Sequence, residues 1–577
     1  MAQPVRLDEL RVLDGPNLYF PRPAVKLTMS VPGWLNASEG RVRSIAAGAG
    51  INDPKGPGGP KSEQRRRYVA RLAVHLTRRL GASAGTRLAV RARSGPEAQQ
   101  IVVAFPWRRR NAAEALGREV ATLLTHLLTS RRSPTGLIEE AGRRLAAAEP
   151  GPAPAVPRPD IPVISISGTN GKTTTVRLLA HIVRSAGRSV AYSSTDGVYR
   201  DDDALVEAGD YSGFGGAGMA LAQDPDVAVL ETARGGILLR GVGVLRNDVA
   251  VVTNVSEDHL DLHGIRTLDQ LAEVKAAITR ITKPAGWCVL NADDPRVLAM
   301  RRRATGRPWL FSLDPDHAAL RESLAEGGRA ITVFDGWLVV LSDARIRPLV
   351  PLIDVPVTFA GISGHNIQNA MAATAAALGI GLPERAVVRG LKTFVMDPER
   401  NPGRTNLFRL GGSIVVVDYA HNEAGMTGLV ELCNGLRRKG GEVWIAICTA
   451  GDRTDRVLHR FACTAARGSD HISVAELERY LRGRASEDIV HRLVAGAEDG
   501  GAGRVPVYPD ELRALKGMLA AATPRDVVAV TALGQRPEIF AYLKRRRAAR
   551  LSPADVRKLA RSAAASLAQP PTSLHRA

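Results

Sequence analysis

Cysteine is scarce in this chain: Cys288, Cys433, Cys448 and Cys463 are the only four among 577 residues. They are scattered, without the paired spacing of a metal knuckle or a redox motif, so neither a disulfide framework nor a cysteine-held metal is indicated. A reducing cytoplasm is the expected compartment. Aromatic residues make up only 4% of the chain, so packing must rest on Ala, Val and Leu. No uncharged apolar run is long enough to cross a bilayer, and no membrane partner is expected. The opening stretch, Met-Ala-Gln-Pro-Val-Arg-Leu-Asp-Glu-Leu, lacks the apolar core of a signal peptide. Acidic residues are outnumbered: 58 Asp and Glu face 78 Lys and Arg, a net charge of +20. Such a charge attracts nucleic acid or an acidic polymer. The densest runs, however, are Arg65 to Arg67, Arg108 to Arg110 and Lys544 to Arg550, and no aromatics are interleaved through them. Solvated helix faces are therefore the favoured reading over nucleic-acid binding.

What is present is a large globular chain, 45% hydrophobic, with length for about three or four domains. Its organising stretch runs from Ile161 to Thr175. The apolar run Ile161 to Ile166 reads as a buried strand, and a helical pattern follows through Val176, Leu179, Ala180 and Val183. Between them lie Gly168, Thr169, Asn170, Gly171, Lys172, Thr173 and Thr174. Strand, glycine loop and helix form a phosphate cradle, in which backbone N–H groups and the helix N-terminus converge on one anion. Lys172 can reach the outer phosphates, and the Thr173 hydroxyl can ligate Mg²⁺. The usual P-loop spacing asks for glycine at position 166, where this chain has Ile166, so this is a shortened variant.

Residues 1–147 read as an α+β unit: a strand ending in a turn over Arg11 to Phe20, a helix over Ser62 to Leu80 with Ser62 as N-cap, a hairpin from Leu88–Ala92 and Ile101–Phe105, and a helix over Asn111 to Leu128. No catalytic constellation is visible there. A Pro/Ala-rich linker, 148–160, is expected to be extended and semi-rigid. From 161 to 395, strand-like runs at Val190–Tyr192, Val227–Leu230, Val249–Thr253 and Cys288–Leu290 alternate with helices, which predicts a parallel sheet covered on both faces. Ligands then gather at the carboxyl ends of the strands. Glu231 follows one such strand, and Asn254, Glu257, Asp258 and His259 follow another, a set able to offer oxygen and imidazole ligands near phosphate. The pattern Gly213, Gly215, Gly218 matches a dinucleotide turn, but Glu207 to Ser212 before it reads as no strand, which makes it a decoy. Ile331 to Leu341 suggests a hairpin. Gly361 to Asn369 opens a helix whose asparagines are read either as caps or as nucleotide contacts. A second α/β domain is expected over 396–550, with Asp418 to His421 and Gly451 to Arg456 at strand ends. The basic tail 551–577 reads as helix or as frayed chain.

Taken in order, these motifs resemble the Mur ligases and folylpolyglutamate synthetases. Gly168 to Thr174, Glu231, Asn254 to Gly264, Asn291 to Pro295, His365 to Asn369, Asp418 to His421 and Gly451 to Arg453 carry the resemblance. Glu231-Thr-Ala-Arg-Gly-Gly-Ile237 and Leu13-Asp-Gly-Pro-Asn-Leu-Tyr-Phe20 are similar to stretches of the cyanophycin synthetases. Those enzymes also carry an ATP-grasp domain, and no stretch here is long enough for one, so a single ATP site and one kind of bond are expected. The resemblance implies a central P-loop domain, a C-terminal Rossmann-like domain and an ATP-dependent ligase that joins a carboxylate to an amine through an acyl phosphate. It implies ATP and Mg²⁺, with Lys172, His259 and Lys275 catalytic and Thr173, Glu231 and His259 at metal. Lys275 matches the carbamylated lysine of that family, its alternative being a plain surface lysine. Asn366 and Asn369 would meet the adenine side, while Arg404 and Asp418, with His421 and Arg453 nearby, would close from the last domain. Substrates implied are an amino acid and a carboxylate or peptide acceptor, with homo-oligomerisation left open. Two other readings remain: a catalytically silent binding protein for an acidic polymer or partner, and a kinase or ATPase stopping at phosphoryl transfer.

Overall fold

The structure, a computed structural model, describes residues 3–52, 55–257, 260, 263–342 and 345–567. Three sheets organise it. The first is four-stranded and antiparallel, in the order Arg6–Leu13, Ala24–Ser30, Gln100–Pro106, Arg91–Ser94. Its apolar face carries Val25, Leu27, Met29, Ile101, Val103 and Phe105 under the helices Glu63–Ser83 and Arg110–Thr129. Ser62 caps the first of these helices, its hydroxyl accepting from Arg65 N at 3.1 Å. Arg65 departs from the expectation of a solvated basic run. It is fully buried, and its guanidinium donates to the carbonyls of Pro57, Trp34, Ala37 and Gly58, tying the loop before the helix to the short helix Pro32–Asn36. The hairpin strand lies at Arg91–Ser94 rather than Leu88–Ala92, paired with Gln100–Pro106.

The central sheet has eleven strands. Val163–Ser167 runs between Val227–Glu231 and Asn247–Val252, parallel to both, and Val190–Ser194, Thr282–Asn291 and Arg307–Ser312 extend the parallel core outward. The inner three, Val163–Ser167, Val227–Glu231 and Asn247–Val252, are short runs rich in Val and Ile and almost wholly buried, as a parallel sheet sandwiched by helices requires. Antiparallel strands finish each end, Trp337–Ser342 and Arg345–Pro351 beyond Arg329–Phe334 at one and the hairpin Gly197–Arg200 with Ala204–Ala208 at the other. The last of these strands corrects the expectation that Glu207 to Ser212 holds none, since Glu207 and Ala208 belong to it. It is an exposed antiparallel edge, not the inner parallel strand that a dinucleotide turn needs.

The third sheet has seven strands, with Ser413–Asp418, Val527–Thr531, Val443–Ile447 and His471–Ala475 parallel and Asn406–Leu410 antiparallel. Residues after 550 continue as a helix, Pro553–Leu567, whose Val556 is buried against the core. The two faces of the central sheet are committed to different neighbours. One face shares an apolar cluster with the C-terminal sheet, through Phe394, Met396, Leu407 and Met426. The other shares a cluster with Leu13, Leu18, Tyr19 and Phe20 of the N-terminal unit. The linker is pinned at both ends: Pro152 O and Pro150 O accept from Arg110 N and Ala112 N, and Pro157 O accepts from Leu245 N.

Candidate active site

The loop Gly168–Lys172 leaves the carboxyl end of the strand Val163–Ser167 and enters the helix Lys172–Ser185. Gly168 has φ of 149° and Gly171 φ of 84°, both in the region that favours glycine. A Cβ on Gly168 would overlap the Thr253 hydroxyl, and one on Gly171 would overlap the Asn369 carboxamide. The neighbouring strand end fixes the loop. Thr169 N donates to Asn254 O and Asn170 N to Asn254 Oδ1, both at 2.9 Å, while Thr253 Oγ1 donates to Asn170 O at 2.7 Å. Gly171 has no side chain to cap the helix, so its first-turn N–H groups remain available at the cleft. Lys172 folds back, its ammonium donating to Thr169 O at 2.8 Å. Lys275 is not the surface lysine its helix position allows. It is 4% exposed, lines the cavity, and its Nζ donates to Gly168 O at 2.6 Å.

Thr173 Oγ1 donates to Glu231 Oε2 at 2.9 Å and lies 3.2 Å from the Thr195 hydroxyl. Glu231 is 2% exposed, and its Oε1 has no hydrogen-bond partner among the described residues. Burial pushes its carboxyl above the ordinary glutamate value, with the Lys172 charge and the Thr173 hydroxyl opposing. A buried carboxylate oxygen left open beside a hydroxyl is the donor set a hard divalent cation fits, since Mg²⁺ takes few protein oxygens and keeps the rest for water and phosphate. Asp258 and His259 lie outside the described residues. Glu257 does not line the cavity; it pairs with Arg456 at 2.8 Å across the cleft.

The helix Gly364–Gly379 is capped by Ser363, not by its asparagines. Asn366 lines the cavity, whereas Asn369 is buried beneath the loop, donating to Asn366 Oδ1 at 3.0 Å and accepting from Thr175 Oγ1 at 3.3 Å. Facing these, the C-terminal sheet contributes Asp418, whose carboxylate accepts from Thr405 Oγ1 and Ala420 N, each at 2.7 Å. The Arg404 guanidinium stacks 4.3 Å from the Tyr419 ring, with its buried Nε unpartnered among the described residues. Arg453 donates to His421 O at 3.2 Å and pairs with Asp452. Together both domains enclose a cavity of about 880 Å³.

Sequence reasoning missed Thr195, Asp196, Arg234 and Arg536, which also line it. Thr195 and Asp196 follow the strand Val190–Ser194 at the same sheet edge as Glu231, a signal that the strand-end rule contained. Arg536 had none. It reaches across to within 3.6 Å of Asp196 from a helix with no distinguishing motif.

Residues 166–377 match the Mur ligase middle domain, and residues 403–534 match the Mur ligase, glutamate ligase domain. The chain is 40% identical over 338 residues to cyanophycin synthetase of Crocosphaera subtropica, covering 58% of this chain and 38% of that protein. It is 38% identical over 374 residues to the Synechocystis cyanophycin synthetase, covering 42% of that protein, so it spans well under half the length of these relatives. It is 29% identical over 439 residues to the UDP-N-acetylmuramyl-tripeptide synthetase of Deinococcus radiodurans, covering 74% of this chain and 83% of that enzyme. Among solved structures, E. coli FolC in complex with DHPP and ADP superposes with a TM-score of 0.50 at 21% identity, covering 67% of this chain and 89% of that one, which shows a shared fold.

Proposed function

The chain belongs to the Mur ligase family through its middle and C-terminal domains, and from that premise we propose that it is an ATP-dependent carboxylate–amine ligase. The observation that carries this reading is the bond between the Thr173 hydroxyl and the half-unpaired Glu231, in a cleft shared with Arg404 and Asp418 of a second α/β domain. A kinase has no need of that second domain over its phosphate loop, and a silent binding protein has no need of a buried carboxylate with an open oxygen. Residues 161–395 would hold the nucleotide, and residues 396–550 would bring the amine. The acceptor would be a carboxylate or peptide and the amine an amino acid, in a reducing, cytoplasmic setting that suits four free thiols.

In the reaction, a carboxylate oxygen of the acceptor attacks the γ-phosphorus of ATP and ADP leaves. The amine nitrogen then attacks the acyl carbon, phosphate leaves, and the nitrogen gives up a proton. Phosphoryl transfer needs placement and charge neutralisation rather than covalent help. Lys172, released from Thr169 O, would meet the outer phosphates, and the loop Gly168, Thr169, Asn170 and Gly171, with the first-turn N–H groups of the helix as far as Thr174, would cradle the inner ones. Thr173, Glu231 and His259 would hold Mg²⁺, which supplies Lewis-acid neutralisation of phosphate charge. Lys275, buried against Gly168 O, would keep the loop in register and is the residue for carbamylation. Asn366 would meet the adenine side, and Asn369 would hold Gly171 in place. Arg404 and Asp418 would close on the nucleotide and exclude water from the acyl phosphate.

The test is ADP release with ATP and Mg²⁺ across a matrix of carboxylate acceptors and amino acids. Release that requires both, lost by at least about 100-fold in Lys172→Ala, is the expected result. Release that needs no amine would replace this reading with a kinase. No release in any well, despite ATP binding, would favour the binding protein.

A further inference from the structure

The phosphate loop meets the C-terminal domain at a pair of side chains. Asn422 Nδ2 donates to Asn170 Oδ1 at 2.9 Å, and Asn170 Nδ2 donates to Asn422 Oδ1 at 3.1 Å, a reciprocal two-bond amide pair between residues 252 apart in sequence. Asn422 is 1% exposed. Its Oδ1 also accepts from Gly425 N at 2.9 Å, which makes it the N-cap of the helix Glu423–Leu436 and fixes its rotamer. At the other end Asn170 is equally constrained, because its N–H and C=O are both held by Asn254 and its C=O also by Thr253. Each partner is therefore rigid in its own domain, and the pair joins two fixed bodies.

We propose that Asn422 is a positioning residue for the nucleotide site: docking of the C-terminal domain sets the geometry of the phosphate loop through Asn170. Three features support this. Two uncharged carboxamides can sit beside phosphate without competing for it, as a carboxylate or ammonium would. Opening the cleft gives up two amide–amide hydrogen bonds between the buried Asn422 and the half-buried Asn170, and a misdocked domain would leave Asn422 buried without its partner, so the loop and the domain prefer to be correct together. The ion pairs across the cleft, Glu257 with Arg456 and Arg460 and Asp196 with Arg536, join partly exposed long side chains and fix little geometry. The inference rests on the nucleotide site of the ligase reading, but not on which bond the protein makes.

The test is a double-mutant cycle read by calorimetric binding of AMPPNP with Mg²⁺ to the full chain. Asn422→Ser keeps a hydroxyl able to cap the helix but is too short to reach Asn170, while Asn422→Ala removes cap and pair together. Both are expected to weaken AMPPNP binding by about 5- to 20-fold, whereas only the Ala variant lowers the melting temperature appreciably. Asn170→Ala should weaken binding similarly, and the double variant Asn170→Ala/Asn422→Ser should be no weaker than the worse single. Unchanged affinity in Asn422→Ser, or losses that multiply in the double variant, would overturn the coupling. Binding needs neither acceptor nor amine, so a chain that proved not to be a ligase would leave this result standing. A flat cycle in an active ligase would sink only the coupling.

Discussion

On its N-terminal side the middle domain is joined through main chain. Gly15 N donates to Arg240 O at 3.0 Å, Val242 N donates to Pro16 O at 2.6 Å, and a Cβ on Gly15 would overlap the Val242 carbonyl oxygen. Asn17 knots the connecting turn, accepting from Tyr19 N and Phe20 N and donating to Gly15 O and Arg22 O. Asp14 pairs with Arg240, and Leu13, Leu18, Tyr19 and Phe20 enter the middle domain's core. Across the nucleotide cleft the contacts are made by side chains: Asn170 with Asn422, Glu257 with Arg456, Asp196 with Arg536, and the Arg177 guanidinium with the Arg400 carbonyl. Backbone ladders and interlocked glycines cannot be opened without losing the fold, whereas side-chain tips can part and re-form. The closure proposed for the reaction would therefore keep the first contact and part the second, with the apolar cluster at Phe394 and Met396 as its hinge.

Glycines test this contrast most sharply. Gly171→Ala, at φ of 84° and against Asn369, should reduce ADP release by at least about 100-fold with a small change in melting temperature, because it deforms the loop rather than the core. Gly15→Ala should do the reverse. It costs about 1–3 kcal/mol of stability, as overpacking does, and leaves AMPPNP affinity intact. If Gly15→Ala weakened nucleotide binding as much as it lowered the melting temperature, the N-terminal contact would be part of the moving machinery.

A pH series addresses the hinge. His181 Nε2 lies 2.8 Å from Thr393 Oγ1, and its ring packs on Phe394. Burial, with the charges of Arg184 and Arg400, pushes its imidazole down to about 4 from 6.5. The native state keeps His181 neutral where the unfolded chain protonates it, so stability present above pH 6.5 is lost as pH falls toward about 4. In thermal melts between these values, His181→Gln should flatten that decline. An unchanged slope would place the acid sensitivity elsewhere.

The smallest effect belongs to the ion pair at the cleft mouth. Arg456→Ala should shift stability by less than about 1 kcal/mol, and the shift should vanish in about 0.5 M salt, where exposed charges are screened. A larger, salt-insensitive loss would mean that this pair, rather than Asn170–Asn422, holds the cleft shut.

The sequence made the nucleotide half of the cleft legible because its signals are local. The run Val163–Ser167, the glycines and the following helix occupy one contiguous stretch, and Glu231 directly follows a recognisable β-branched strand. Parallel strands buried on both faces are almost continuous apolar runs, which is why the five strands expected for the middle domain all recur in the structure. What stayed hidden depends on distance or on a single side chain's surroundings. Arg65 looked like part of a basic run, and only the loop folded over it turns it inward. Lys275 was marked by the resemblance alone, and its own helix pattern did not show that its ammonium would be buried on Gly168 O. The strand Ala204–Ala208 is polar and exposed, with no apolar alternation to mark it. The Asn170–Asn422 pair joins positions that share no periodicity and no motif.

The two faces of the central sheet have one further consequence. The sheet is joined to the N-terminal unit through main chain, so the closure proposed for the C-terminal domain would divide the molecule into a stator and a rotor. Gly168, Lys172 and Lys275 belong to the stator, together with everything the first 147 residues hold. Arg404, Asp418 and Asn422 ride on the rotor. A molecule gripped by the N-terminal unit would then keep its distance from the phosphate loop through every closure, while one carried by the C-terminal domain would be delivered anew with each cycle.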